Sequence, residues 1–284
     1  MAIFEIILSF LLSLMFTFSV FLPIVPVNKV DMDKFELVWS DEFDGNTIDE
    51  TKWRGLYFSG DETFLRKGGY WNMSQLSVAD GNLRISTDYY ENGLNGNGKS
   101  GWYSGALYTK DLFESKYGYY EVRCILPEGS GMWSAFWLNS KGMANVDGSG
   151  KDGAEIDIFE SAYYDTPLKN FVQSAIHYDG YGEDLKSVTV CKPLIAENNP
   201  YKEYNTYGLE WTPEEYIFYI NGVECGRLSQ GGVSQNPEYL ILSCEIAGEN
   251  GVAYADRHGT GPISIEKGEK AEFIVDYVRV YEHK

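Results

Sequence analysis

From Phe35 onward no segment carries a sustained helical period, while short runs of strand-forming residues recur between turn signals. The runs are Asn82–Ser86, Tyr117–Leu126, Ala154–Glu160, Gln173–Tyr178, Tyr204–Trp211, Glu215–Asn221, Tyr239–Ile246 and Phe273–Tyr281. Several alternate with a period of two, which puts apolar side chains on one face of a strand. Asn221-Gly222 follows one such run and predicts a tight hairpin of type I′ character. Many short strands joined by Gly-rich turns predict an all-β fold, a sandwich or jelly roll. No linker or repeat interrupts the region, so 35–284 reads as one domain. Two Gly/Asn-rich loops stand out, Glu91–Trp102 and Lys141–Gly153. The second leads into the most acidic strand, and we expect it to border a cleft.

Ahead of this domain, Ile6 to Val25 contains no charge. Such a run is long enough to cross a bilayer, and its place near the start of the sequence also suits export. We read 1–30 as an export signal or a membrane anchor, and the protein as secreted or held at the cell surface. Charge limits the partners further. There are 23 Lys and Arg against 42 Asp and Glu, a net charge of -19. That balance disfavours binding to nucleic acid and to anionic lipid heads. Only His177, His258 and His283 are available, too few for a multi-histidine metal site. Cys124, Cys191, Cys225 and Cys244 show no C-x-x-C spacing; four cysteines allow three pairings, and buried free thiols are an equal reading. We expect a monomer that requires no cofactor for catalysis.

Chemistry concentrates in Glu155-Ile-Asp157-Ile-Phe-Glu160. In a regular strand Glu155 and Asp157 share a face and Glu160 points the other way. One extra residue, a β-bulge, returns Glu160 to the first face. Three acids then crowd one surface, an expensive arrangement for a strand with a purely structural task. It suits glycoside hydrolysis, which pairs an ionised nucleophile with a protonated acid. On a concave sheet a rise of about 3.3 Å per residue leaves the two glutamate heads about 5 Å apart, the retaining spacing. A solvated acidic edge, or a calcium loop, is the competing reading of the same acids.

The motif resembles the E-x-D-x-x-E signature of glycoside hydrolase family 16, in its bulged, laminarinase-like branch. Other segments resemble the family in order: Trp39 to Gly45 with Trp53, Gly81 to Leu83, Tyr103 to Gly105, Tyr117 to Arg123, Gly131 to Leu138, Tyr207 to Trp211 and Val275 to Tyr281. The resemblance implies a β-jelly-roll sandwich of two antiparallel sheets with a concave substrate cleft. It implies a retaining endo-hydrolase of a β-linked polysaccharide, with Glu155 as nucleophile, Asp157 as helper and Glu160 as general acid/base. A β-1,3-glucan or mixed-linkage β-glucan is the expected substrate. Ser134 and the Lys141–Gly153 loop depart from the laminarinase pattern and leave other specificities open. An endo-β-galactosidase, a transglycosylase and a non-catalytic carbohydrate-binding jelly roll are the alternatives. Trp133 and Trp137, four apart in a strand, share a face and offer flat surfaces to sugar rings. His177, Trp71 and Tyr103 complete the expected substrate contacts. The resemblance also implies a structural calcium held by Glu42, the Gly81 carbonyl and Asp276.

Overall fold

The computed structural model describes residues 28–55, 63–161, 164, 170–193, 195, 198–254 and 263–284. The 1–27 part of the apolar run lies outside them. Among the described residues no helix is long and apolar enough to cross a membrane.

Two sheets pack face to face. The seven-stranded sheet runs in the order Lys186–Cys191, Gln173–Tyr178, Glu155–Ser161, Met132–Asn139, Tyr239–Ile246, Ala106–Tyr108 and Arg54–Gly55. The larger sheet has eleven strands. Its main path is Val223–Leu228, Tyr216–Ile220, Asn205–Trp211, Gly118–Ile125, Ala271–His283, Asn82–Tyr90, Gly101–Ser104, Gly69–Asn72 and Thr63–Arg66. Phe35–Asp41 joins it on Ala271–His283, and Leu76–Ala79 on Asn82–Tyr90. All eight strand runs expected from the sequence are strands, with ends shifted by a few residues. Asn221 and Gly222 both have positive φ, 50° and 73°, as a type I′ turn demands.

One expectation needs correction. The sheets are not wholly antiparallel, because Gly69–Asn72 pairs parallel to Gly101–Ser104, Tyr70 opposite Tyr103 and Trp71 opposite Ser104.

The core follows from alternation. On Met132–Asn139, Met132, Phe136 and Leu138 enter the space between the sheets, while Trp133, Ala135 and Trp137 face away. From the larger sheet Tyr120, Val122 and Cys124 point inward to meet them. Each such apolar side chain contributes about 1.5–3 kcal/mol when fully buried. The outward face of the smaller sheet is therefore backed by a packed core, and it is the face that carries the acids.

Candidate active site

Glu155–Ser161 is entered through Gly153, whose φ is 141° and whose missing side chain would fall 2.3 Å from Ser140 Oγ. Only glycine fits there. Along the strand, pairing with Met132–Asn139 slips between Phe136/Phe159 and Trp137/Asp157, leaving Ile158 as the extra residue. The same slip occurs against Gln173–Tyr178. Ile158 stays in the core at 2% exposure, and its carbonyl accepts from Ser174 Oγ at 2.8 Å. Phe159 also stays in the core, and Glu160 returns to the face of Glu155 and Asp157.

Register then sets rows across the sheet. Asn139, Glu155, His177 and Ser187 lie side by side; Trp137, Asp157 and Ala175 form the next row; Ala135, Glu160 and Gln173 the third. All of these except Asn139 and Ala175 line a cleft of about 610 Å³, walled also by Arg66, Lys67, Trp133, Tyr181, Ser243 and Glu245. The small side chain of Ala175 leaves room for His177 to lean toward the middle row. His177 Nε2 stands 3.0 Å from Asp157 Oδ2, and its Nδ1 bonds Ser187 Oγ at 2.7 Å. Gln173 Nε2 donates to Glu160 Oε2 at 3.3 Å.

Burial is the main force on the acids. It raises Glu155, with help from the charge of Asp157, against the opposing pull of His177, Tyr181 and Arg66, to about 7. Burial, Asp157 and Glu155 push Glu160 well above the usual carboxylate range, only partly offset by His177 and Lys67. Burial pulls His177 down, but its contact with Asp157 and the charges of Glu155 and Glu160 outweigh that and lift it to about 9. The imidazole is a cation at neutral pH. Of the two glutamates, Glu160 is pushed harder toward its protonated form, and Glu155 has the better-supported charge.

The expected substrate contacts divide. Trp133, Trp137 and His177 line the cleft. Trp133 is half-buried with Lys67 Nζ 3.9 Å from its ring centre. Trp137 is 6% exposed and donates through Nε1 to Ser243 Oγ at 3.1 Å. Trp71 and Tyr103 do not reach the cleft. Trp71 is buried beneath it with its indole N–H on the Cys244 carbonyl at 2.8 Å, and Tyr103 is fully buried with its hydroxyl donating to the Lys99 carbonyl at 2.7 Å. Both are packing residues whose polar ends are satisfied internally.

Two of the residues expected at the calcium site are paired with arginines. Glu42 gives both carboxylate oxygens to Arg279, at 3.0 and 2.7 Å, and Asp276 is paired with Arg123. Both Glu42 oxygens and Asp276 Oδ2 thus face guanidinium groups. The Lys141–Gly153 loop contributes no cleft-lining residue. It braces the next loop instead: Asp179 Oδ1 accepts from the N–H groups of Asp147 and Gly148 at 3.1 and 2.9 Å.

Several residues in or beside the cleft escaped the sequence reading. Asn139 continues the alternation of Trp133 and Trp137 and was within reach of it. Glu245 is two residues from Ser243 on a strand whose alternate residues face the cleft; it meets Arg66 Nε at 2.6 Å and Lys67 Nζ at 3.1 Å. Tyr181, Arg66 and Lys67 sit in segments with no local signal. Glu238, fully buried below the strand entry, accepts from the Ala154 N–H at 3.2 Å.

The GH16-domain model of β-porphyranases A–D matches residues 35–283. The chain belongs to glycoside hydrolase family 16. It is 27% identical over 271 residues to glucan endo-1,3-β-glucosidase A1 of Niallia circulans, covering 87% of this chain and 38% of that protein. The keratan-sulfate endo-1,4-β-galactosidase of Sphingobacterium multivorum is 28% identical over 264 residues, covering 87% of this chain and 55% of that one. Among solved family 16 structures, SCLam, a non-specific endo-β-1,3(4)-glucanase, superposes with a TM-score of 0.69 at 27% identity, covering 91% of this chain and 95% of that one. The jelly roll expected from the sequence is thus the fold of the family.

Proposed function

We propose that this chain is an endo-acting retaining hydrolase of a β-linked polysaccharide. One observation carries the reading: a single extra residue, Ile158, turns two half-buried glutamates onto one face of the cleft with Asp157 between them. Glu155 attacks the anomeric carbon while Glu160 delivers its proton to the departing glycosidic oxygen. The glycosyl–Glu155 ester is then opened by water, whose proton Glu160 takes back. Asp157 and the His177 cation balance the charge of the two glutamates as it moves between them. Trp133 presents a ring face to the sugar next to the reacting unit.

A β-1,3-glucan or mixed-linkage β-glucan is the substrate we favour, following the glucanase relatives. A β-galactan is the second reading. It is favoured by the porphyranase-type domain match and by two cations, Arg66 and Lys67, on the cleft wall of so acidic a protein. The uncharged Ile6–Val25 run supports export, which N-terminal sequencing of secreted material tests. For the activity, the experiment is a panel of laminarin, lichenan, agarose, porphyran and keratan sulfate, read by new reducing ends and by the mass and linkage of the products. Internal cleavage of one glycan, abolished in Glu155→Gln, is expected. Binding without turnover on every glycan would sink the hydrolase reading, and chain-lengthened products would assign a transglycosylase instead.

A further inference from the structure

Resting on the reading of Glu155 as nucleophile, we propose that Tyr181 is a further catalytic residue. Its hydroxyl holds one oxygen of Glu155 and takes up the charge that returns there when the glycosyl ester opens.

The geometry is specific. Tyr181 Oη donates to Glu155 Oε2. Asn139 Nδ2 donates to Tyr181 Oη at 2.7 Å and lies 3.4 Å from the same Oε2. A phenol has one proton, and with Asn139 directed at its lone pair that proton is aimed at the carboxylate. Both donors sit on Oε2, so Oε1 is the oxygen presented to the sugar. The supporting loop is pinned at its base: Asp179 and Gly180 both take positive φ, 65° and 75°, and the Gly180 N–H donates to the Met143 carbonyl at 2.7 Å. The side chain is nevertheless 61% exposed and lines the cleft, so it meets substrate as well as nucleophile. Crowding around the hydroxyl and the charge of Glu155 hold the phenol far above its usual acidity range, and it remains a donor throughout the working pH range.

The two halves of the reaction use this bond differently. In the first, Oε1 bonds to the anomeric carbon, the glycosidic bond breaks, and Glu160 protonates the leaving oxygen. Charge drains from Glu155 and the Tyr181 bond weakens. In the second, water bonds to the anomeric carbon, the electron pair of the C–Oε1 bond returns to Glu155, and Glu160 accepts the water proton. The Tyr181 bond strengthens as that charge builds, so it favours the second transition state over the ester before it.

The test compares wild type with Tyr181→Phe on whichever glycan the panel identifies. A hydrogen bond to a charged group predicts a kcat loss on the order of 10–100-fold, with no fall in kcat/KM on its pH plateau, since that ratio reports the first step in which the bond weakens, and a new burst of first product. Glu155 must be followed with its neighbours Asp157, Glu160, His177, Arg66 and Glu238, which also act on its charge. Carbon-13 NMR of the Glu155 carboxyl needs no substrate, and in Tyr181→Phe its midpoint should rise by about one pH unit. Without any mutation, the Tyr181 Cζ resonance should titrate together with Glu155, which covers a variant that misfolds. An active wild type whose Tyr181→Phe keeps its kcat, shows no burst and leaves the Glu155 midpoint in place overturns the role of Tyr181 alone. A wild type that cleaves nothing removes the hydrolase reading and this role together.

Discussion

Glu238 offers the sharpest test of how burial governs this molecule. Its carboxyl is fully buried, bonded to the Ala154 N–H, and lifted to about 8 mainly by burial, with the charge of Glu155 adding to it. In the unfolded chain the same group titrates near 4.5. Between these values the folded state holds a proton that the unfolded state has released. Stability from this group is therefore complete below pH 4.5 and is lost as pH rises toward 8. From pH 5 to 7.5 the loss is two and a half units at about 1.4 kcal/mol each, on the order of 3 kcal/mol. Glu238→Gln keeps the shape and the acceptor but carries no titration. Urea unfolding of both proteins at pH 5 and pH 7.5 cancels, in the difference, the titrating groups that do not interact with Glu238. The variant should match wild type at pH 5 and exceed it at pH 7.5 by about 3 kcal/mol. Parallel pH dependences for the two proteins would refute the assignment.

Three further outcomes are expected. His177→Asn removes a cation that lowers both Glu155 and Glu160, so both limbs of the pH profile of kcat/KM should move to higher pH; fixed limbs would show that the imidazole does not govern the acids. Cys191 and Cys225 sit on the outermost strands of the two sheets with their sulfurs 3.1 Å apart, whereas Cys124 and Cys244 are fully buried. Oxidised glutathione should join them by exchange, releasing two reduced glutathiones; thiols counted in denaturant should fall from four to two, Cys191→Ser should block the change, and Tm should rise with a closed-loop contribution of about 3–4 kcal/mol. Trp133→Ala should raise KM for long oligosaccharides with little change in Tm, while Trp71→Phe, which strips a buried indole N–H from the Cys244 carbonyl, should lower Tm and leave KM in place.

What was legible in the sequence tracks how local the cause is. Alternation along single strands exposed the sandwich, and two residues between Asp157 and Glu160, where a regular strand would have one, exposed the bulge at Ile158. The shared face of Trp133 and Trp137 followed from the same period. Trp71 and Tyr103 were misjudged because a ring suited to sugar is equally suited to a core, and only the neighbouring sheet decides which it meets. The arginine partners of Glu42 and Asp276 gave no signal because they are 237 and 153 residues away. Tyr181 gave no signal at all: its position depends on a turn held from a different loop, through Asp179 and Met143.

The strand Ala271–His283 joins the two halves of the larger sheet, running between Gly118–Ile125 and Asn82–Tyr90 and carrying Phe35–Asp41 as well. During synthesis every other described strand of that sheet is made before this one, so the sheet lacks its keystone until Ala271–His283 is available. Closing it requires pairing with strands roughly 150 to 190 residues earlier in the sequence, which makes assembly a late and slow event. Until then, strand edges on both sides of the gap stand open to pairing with other chains.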